Sequence, residues 1–265
     1  MASMGGGNGK PSLQVDGVTV RFGGLVALDE VSFDVGQREV VGIIGPNGAG
    51  KTTLFNVICG FVRPNQGTIV WRDEALGKLR PHHLARLGIA RTLQGVGLFP
   101  GLTAVENVMV GAEHLAGAGL ASALFGLPRS DRDERALRES AMEALDAMGA
   151  ADVAERKPGS LPYPVQKRVA FARALVSKPA LLLLDEPAGG LGADDMEELG
   201  ALIGRLRGEM SVALVEHHMD LVMSICDRVV VLDFGRRIAF GTPAEVQADQ
   251  RVLDAYLGVE VDAAG

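Results

Sequence analysis

The stretch "EVVGIIGPNGAGKTT", residues 39–53, constrains this chain more than any other. A continuous apolar run ending in glycine is the pattern of a strand buried on both faces. A glycine-rich turn follows, then a helix predicted from about Gly50 to Gly60. Residues 45–53, "GPNGAGKTT", fit the spacing G-x-x-x-x-G-K-S/T in the strand-to-helix setting that gives this pattern its mechanism. Glycines let a loop curl its backbone N–H groups around a polyphosphate. Gly45, Pro46, Asn47, Gly48, Ala49 and Gly50 would form that cradle. Lys51 would reach the β- and γ-phosphates, the Thr52 hydroxyl would ligate Mg²⁺, and Thr53 would touch the α-phosphate.

Two more buried runs, "ALLLLDE" (180–186) and "SVALVEH" (211–217), end in acidic residues or histidine. Helical patterning such as "DDMEELGALIGRLRG" separates them, and strands alternating with helices predict a parallel α/β sheet. Asp185, at the end of its strand, is placed to hold the Mg²⁺ shell, and Glu186 to polarise an attacking water. His217 closes the strand "SVALVEH" and is expected to reach a γ-phosphate. The pair "HH" also raises a metal site, but adjacent residues rarely point the same way, and no ligand spacing surrounds them. Gln94 closes the strand "IARTLQ", where it could sense Mg²⁺ or the attacking water. Phe22, before Gly23-Gly24, is a candidate to stack on adenine; the plain alternative is a core phenylalanine.

Residues 13–35 alternate in "LQVDGVTVRF" and "VSFDV", as half-buried antiparallel strands do. Residues 95–175 instead show helical spacing with no strand, in "TAVENVMVGAEHL" and "DERALRESAMEALDAMGA", which predicts a helical lobe inserted between two halves of the sheet. "DRVVVLDFGRRIAFG" reads as strand, F-G turn and strand, and "TPAEVQ" as a helix start with threonine as N-cap. The formal charge of -7, with both signs mixed along the chain, argues against a nonspecific nucleic-acid binder. Cys59 and Cys226 form no C-x-x-C spacing, so no disulfide framework is expected and a reducing cytosol fits. The N-terminal "MASMGGGNGKPS" has no apolar core of a signal peptide and reads as a flexible tail. The run "LAGAGLASALFGL" (115–127) is too short to span a bilayer.

Taken in order, Phe22, the loop 45–53, Gln94, a segment at 161–168, Asp185-Glu186 and His217 resemble the nucleotide-binding subunits of ATP-binding-cassette transporters. The resemblance covers about residues 13–258. It implies a P-loop NTPase core of the RecA-like type with an N-terminal antiparallel β subdomain and an inserted α-helical subdomain (about 95–175), between tails at 1–12 and 259–265. "RFGGLVAL", "DEPAGGL", "VEHHMDLVMSICDRVVVLDFG" and "VLDAYLG" are similar to the ATPase subunits of branched-chain amino acid importers. Such subunits sandwich two ATP molecules head to tail, each between one chain's phosphate loop and the other's signature segment. The resemblance thus implies an ATPase using ATP and Mg²⁺ at the cytoplasmic face of the membrane. Its partners would be a second ATPase subunit, identical or different, transmembrane permease subunits and, indirectly, a substrate-binding protein. A urea or amide importer, a lipid exporter and a soluble cassette ATPase remain as alternatives.

The signature position, usually L-S-G-G-Q in that superfamily, reads "LPYPVQKR" here, with Tyr163, Pro164 and Gln166 facing the partner's nucleotide by resemblance. Pro164 replaces a glycine, removing an N–H donor where backbone must approach phosphate closely. Losing a charge-assisted hydrogen bond costs about 1.5–3 kcal/mol, roughly 10- to 150-fold in an equilibrium. Gly192 likewise stands where many cassettes have aspartate. Both departures concern the partner's site, whereas Lys51, Thr52, Asp185, Glu186 and His217 serve this chain's own nucleotide. The expectation is asymmetry: this chain hydrolyses ATP with a sound partner and completes that partner's site poorly. The competing reading is that Pro164 is simply a good early helical residue and the helix dipole suffices.

Overall fold

The computed structural model describes residues 12–77, 80–92, 95–112 and 131–262. Gln94, the apolar stretch 115–127 and residues 1–11 of the N-terminal segment lie outside them. The elements begin with β1 (Leu13–Phe22), β2 (Leu25–Val35), β3 (Val40–Ile44), α1 (Lys51–Ile58), β4 (Gln66–Trp71) and β5 (Glu74–Ala75). There follow β6 (Ile89–Arg91), α2 (Ala104–Gly111), α3 (Asp131–Ala147), α4 (Tyr163–Leu175) and β7 (Leu181–Asp185). The chain continues through α5 (Ala193–Leu206), β8 (Ser211–Val215), α6 (Met219–Ile225), β9 (Arg228–Asp233) and β10 (Arg236–Gly241). It closes with α7 (Pro243–Ala248) and α8 (Gln250–Asp262), the latter running into the stretch read from sequence as a tail.

Two compact units result, one from Met1–His83 with Leu184–Gly265, the other from Leu84–Leu183. The first unit holds an antiparallel sheet of order β2-β1-β4-β5. Its alternating residues Leu13, Val15, Val18 and Val20 face inward, and Gly23-Gly24 make the tight turn that pairs Phe22 with Leu25. A second sheet in this unit runs β10-β9-β3-β8, with β3 parallel to both β8 and β9 and β10 antiparallel at the edge. Every residue of β3 and of β8 is buried, as a strand covered on both faces requires.

The second unit pairs β6 in parallel with β7 and packs three helices together. Val105 and Val108 of α2, Leu137, Ala141 and Leu145 of α3, and Val169 of α4 share one buried cluster. The i, i+4, i+8 spacing in α3 puts its three on one stripe. Thr103 and Glu106 cap α2 reciprocally, each side chain bonding the other's backbone N–H. Arg173 of α4 donates to the carbonyls of Gly97 (2.8 Å) and Val96 (3.4 Å), tying that helix to the segment just beyond Gln94.

Candidate active site

Open α/β sheets bind ligands beyond the carboxyl ends of their strands. β3 ends at Ile44 and hands the chain to the loop 45–50. β8 lies beside it, pairing Ile43 with Val215. The Glu186 N–H, just past β7, donates to the Val215 carbonyl at 2.9 Å. The loop, Asp185-Glu186 and Glu216-His217 therefore sit at one end of the first unit's sheet.

Glycine shapes the loop. Gly48 and Gly50 have φ of 82° and 100°. A Cβ on Gly45 would lie 2.1 Å from the Leu232 carbonyl oxygen, so only glycine fits there. Gly50 is the N-cap of α1, with no side-chain cap and no acidic residue in the first turn. The helix's leading N–H groups and positive end thus face outward without an anionic side chain. Lys51 Nζ folds back to donate to the carbonyls of Gly45 (2.7 Å) and Pro46 (2.8 Å). Burial pulls its ammonium below the ordinary lysine value, and the negative charge of Glu186 works the other way. Asn47, Gly48 and Thr52 are exposed, Thr53 is half-buried, and Ala49 is buried as the loop's inner support. A helix N-terminus, glycine backbone and an ammonium form a donor set that fits a polyphosphate. The Thr52 hydroxyl and the Asp185 carboxylate are hard oxygen donors of the kind Mg²⁺ takes.

Asp185 is 5% exposed at the end of β7. Glu186 follows with φ of 48°, a left-handed backbone that costs a residue with a Cβ about 1–2 kcal/mol. Its N–H bonds Val215, and its carbonyl accepts from the Gly189 N–H at 3.1 Å. These two bonds hold the strained turn that sets the carboxylate at the sheet's end.

Sequence reasoning passed over Glu216, which is only 1% exposed. Its carboxylate accepts from the N–H groups of Ala188 (2.6 Å), His217 (2.9 Å) and His218 (3.2 Å) and contacts His218 Nδ1 at 2.9 Å. Burial pushes the carboxyl up, but the His218 ring and the three N–H groups outweigh it and hold it below the ordinary value. One acid thereby ties the turn after β7 to the turn after β8. The signal was present in the sequence, as an acid ending a fully apolar run.

β8 stops at Val215, so His217 stands past the strand rather than on it, with a side chain 57% exposed. The expectation that adjacent histidines diverge is corrected: the His217 and His218 ring centres lie 4.2 Å apart. Glu216, His217 and His218 bring one donor atom each within 4.8 Å of one another. Both Glu216 oxygens are already taken by N–H groups, so the cluster is accounted for as a hydrogen-bonded clasp. Phe22, at the end of β1, is 51% exposed and so is not a core residue.

The segment 161–168 belongs to the second unit. Pro162 is the N-cap of α4, Tyr163 its first residue and Pro164 its second. The first helical bond runs from the Gln166 N–H to the Pro162 carbonyl at 3.0 Å. Pro164 therefore removes a donor that the helix itself never uses. The Gln166 side chain turns back to donate to the Leu161 carbonyl at 2.9 Å. Lys167 is buried, with Nζ 5.5 Å from the centre of the Tyr163 ring. Gly192 caps α5 without a side-chain bond, and Asp194 and Asp195 supply the favourable charge in the first turn.

A phosphate loop on such a sheet, with two carboxylates at the end of β7, defines a P-loop ATPase of the cassette type. The chain belongs to the ABC transporter family, whose profile matches residues 28–189. A narrower profile, branched-chain amino acid ATP-binding cassette transporter, matches residues 236–262. Over 251 residues the chain is 43% identical to the high-affinity branched-chain amino acid transport ATP-binding protein BraF of Pseudomonas aeruginosa, covering 94% of this chain and 98% of that one. It is 41% identical to LivG of Escherichia coli, which carries the same description, at the same coverage. Identity to the lipopolysaccharide export ATP-binding protein LptB of Haemophilus influenzae is 33%, over 87% of this chain and 90% of that one. The ADP conformation of an ATP-binding cassette superposes with a TM-score of 0.81 at 28% identity, covering 94% of this chain and 99% of that one. A dimeric cassette bound to ADP and phosphate gives 0.73 at 26% identity, covering 87% and 98%. The chain is thus an ATP-binding subunit of a transporter, an ATPase coupled to transport. Among the described residues no helix is long and apolar enough to cross a membrane.

Proposed function

We propose that this chain hydrolyses Mg-ATP at the cytoplasmic face of the membrane to drive import of branched-chain amino acids. It works as one of two ATPase subunits beneath separate permease subunits, which receive cargo from a substrate-binding protein. Residues 13–258 act as one ATPase domain. The observation that carries hydrolysis is geometric: Lys51 follows the loop after β3, and Glu186, just past β7, donates its N–H to Val215 of the intervening β8, so both stand at the same end of the sheet. The cargo rests on the match over 236–262 and on the greater likeness to the amino acid importers than to the exporter.

The loop 45–50 and the N-terminus of α1 bind the phosphates, and Phe22 stacks on the base. Lys51 leaves the carbonyls of Gly45 and Pro46 and donates to the β- and γ-phosphate oxygens instead. Glu186 accepts a proton from water as the water oxygen bonds to the γ-phosphorus and the bond to the ADP oxygen breaks. His217, held at its backbone by Glu216, orients toward the γ-phosphate. Thr52, Asp185 and Gln94 would hold Mg²⁺, which supplies charge neutralisation across the phosphate oxygens when bound. Tyr163, Pro164 and Gln166 face the partner's nucleotide.

The test is reconstitution of the subunit with its permease and binding protein in vesicles. ATP-dependent uptake of labelled leucine, abolished in Glu186→Gln, is the expected result. Uptake of urea in preference to leucine would overturn the cargo assignment, and export of lipid would overturn the direction.

A further inference from the structure

The proposed chemistry gives His217 a task and leaves its neighbour His218 without one. His218 stands at the N-cap of α6, and its ring Nδ1 lies 2.9 Å from Glu216 Oε2. An ionised carboxylate only accepts, so Nδ1 carries the proton and donates. The His218 backbone N–H donates to the same oxygen at 3.2 Å, which fixes the residue at its ring and its main chain together. Glu216 is itself immobile, 1% exposed and bonded by the Ala188 N–H at 2.6 Å. His218 is thus anchored, through Glu216, to the turn that follows Glu186.

The His217 ring has no such anchor. Its backbone N–H reaches Glu216 at 2.9 Å, but its ring Nδ1 stands 3.7 Å from Oε2, beyond hydrogen-bond distance. What that ring does meet is the His218 ring, with centres 4.2 Å apart and planes inclined by 38°. A contact this close bars the rotamers that would swing the His217 ring through its neighbour.

We propose that His218 is a positioning residue for hydrolysis: locked to Glu216, its ring is the wall that holds the His217 imidazole in the orientation that meets the γ-phosphate. The inference rests on the assignment of His217 to the γ-phosphate. Glu216 also holds Ala188, so one clasp keeps the Glu186 turn and the imidazole in a single frame. A ring ordered in advance loses less freedom in the transition state, and that saving appears in kcat.

The experiment measures kcat for ATP in the assembled transporter, with ADP affinity and stoichiometry by calorimetry on the full chain. His218→Asn keeps a side-chain N–H for Glu216 and removes the ring. Turnover per ADP-binding site should fall about 3- to 10-fold, the scale of ordering one side chain. The ADP Kd should stay within about 2-fold, because ADP has no γ-phosphate for His217 to meet. A merely structural role would lower stability or the number of ADP-binding sites and leave kcat per site unmoved, and that result overturns the inference. A double variant gives the second arm. His217→Ala alone should lower kcat, and adding His218→Asn should then change it by less than about 2-fold, since no imidazole is left to orient. Losses that multiply independently overturn the inference. The two assignments also separate. Wild-type kcat in His217→Ala removes the γ-phosphate assignment and the inference with it; a loss in His217→Ala without one in His218→Asn removes the inference alone.

Discussion

The N–H of Gly235, at the tip of the β9–β10 hairpin, donates to the carbonyl of Ala49 in the phosphate loop at 3.1 Å. The Gly235 carbonyl in turn accepts from the Asp29 N–H in β2 at 2.8 Å. The hairpin tip is thus a backbone prop between the antiparallel sheet and the loop. Phe234 and Gly235 both have positive φ, 41° and 77°, as a two-residue hairpin turn demands.

That prop can be tested at one atom. A Cβ on Gly235 would lie 2.7 Å from the Ala27 carbonyl oxygen. Gly235→Val should therefore cost about 2–3 kcal/mol in chemical denaturation, from backbone strain together with overlap. Its ADP affinity should fall alongside, because Ala49 loses its support. Phe234→Ala, at a side chain 87% exposed, should leave stability within about 0.5 kcal/mol. Equal stability for both variants would show that the tip does not brace the loop.

Glu186→Gln keeps the shape of the strained turn after β7 and removes the base. Nucleotide binding should remain within about 2-fold, while turnover falls by about 10²- to 10⁴-fold, the usual range for a general base. Single-turnover hydrolysis beside ADP titration separates the two effects. Retained turnover would move the base elsewhere in the site.

Glu216 predicts a pH signature. Its folded carboxyl lies below the ordinary value of 4.5, so its contribution to stability is fully present above that pH. It is lost as the pH falls through the lowered folded value. Glu216→Gln places an amide where Ala188, His217 and His218 all present donors, and should cost about 1.5–3 kcal/mol at pH 7. The gap between wild type and variant should close in the acid range. Denaturation midpoints measured from pH 7 down to the acid limb check this, and a gap independent of pH would remove the charged carboxylate from the account.

Much of the site was legible because it is local. Residues 39–53 carry their strand, turn and helix start in one uninterrupted pattern, and Asp185-Glu186 follows a run that can only be buried. Glu216 was missed because its partners come from the turn at Ala188, which periodicity along one strand does not see. The histidine pair was misjudged for a related reason: beyond Val215 the chain is no longer a strand, so side-chain alternation does not apply. The "FG" turn was readable from its dipeptide, but its bond to Ala49 depends on how the sheets meet.

The prolines at the start of α4 pose the last test. Pro164 is the second residue of that helix and costs it no hydrogen bond, so the fold gives no reason for glycine there. Any penalty must fall on a ligand that needs the missing N–H. Pro164→Gly should destabilise the chain by no more than about 1 kcal/mol, since glycine weakens a helix modestly. It should raise Mg-ATP turnover by assemblies of this chain alone about tenfold or more, the equivalent of ~1.4 kcal/mol. Steady-state hydrolysis by wild type and Pro164→Gly, with Glu186→Gln as the blank, measures it. A rise assigns the segment at 161–168 a poor role toward its partner and requires a second, different ATPase subunit with a sound one. Equal turnover makes "LPYPV" a working segment and removes the asymmetry between the two sites.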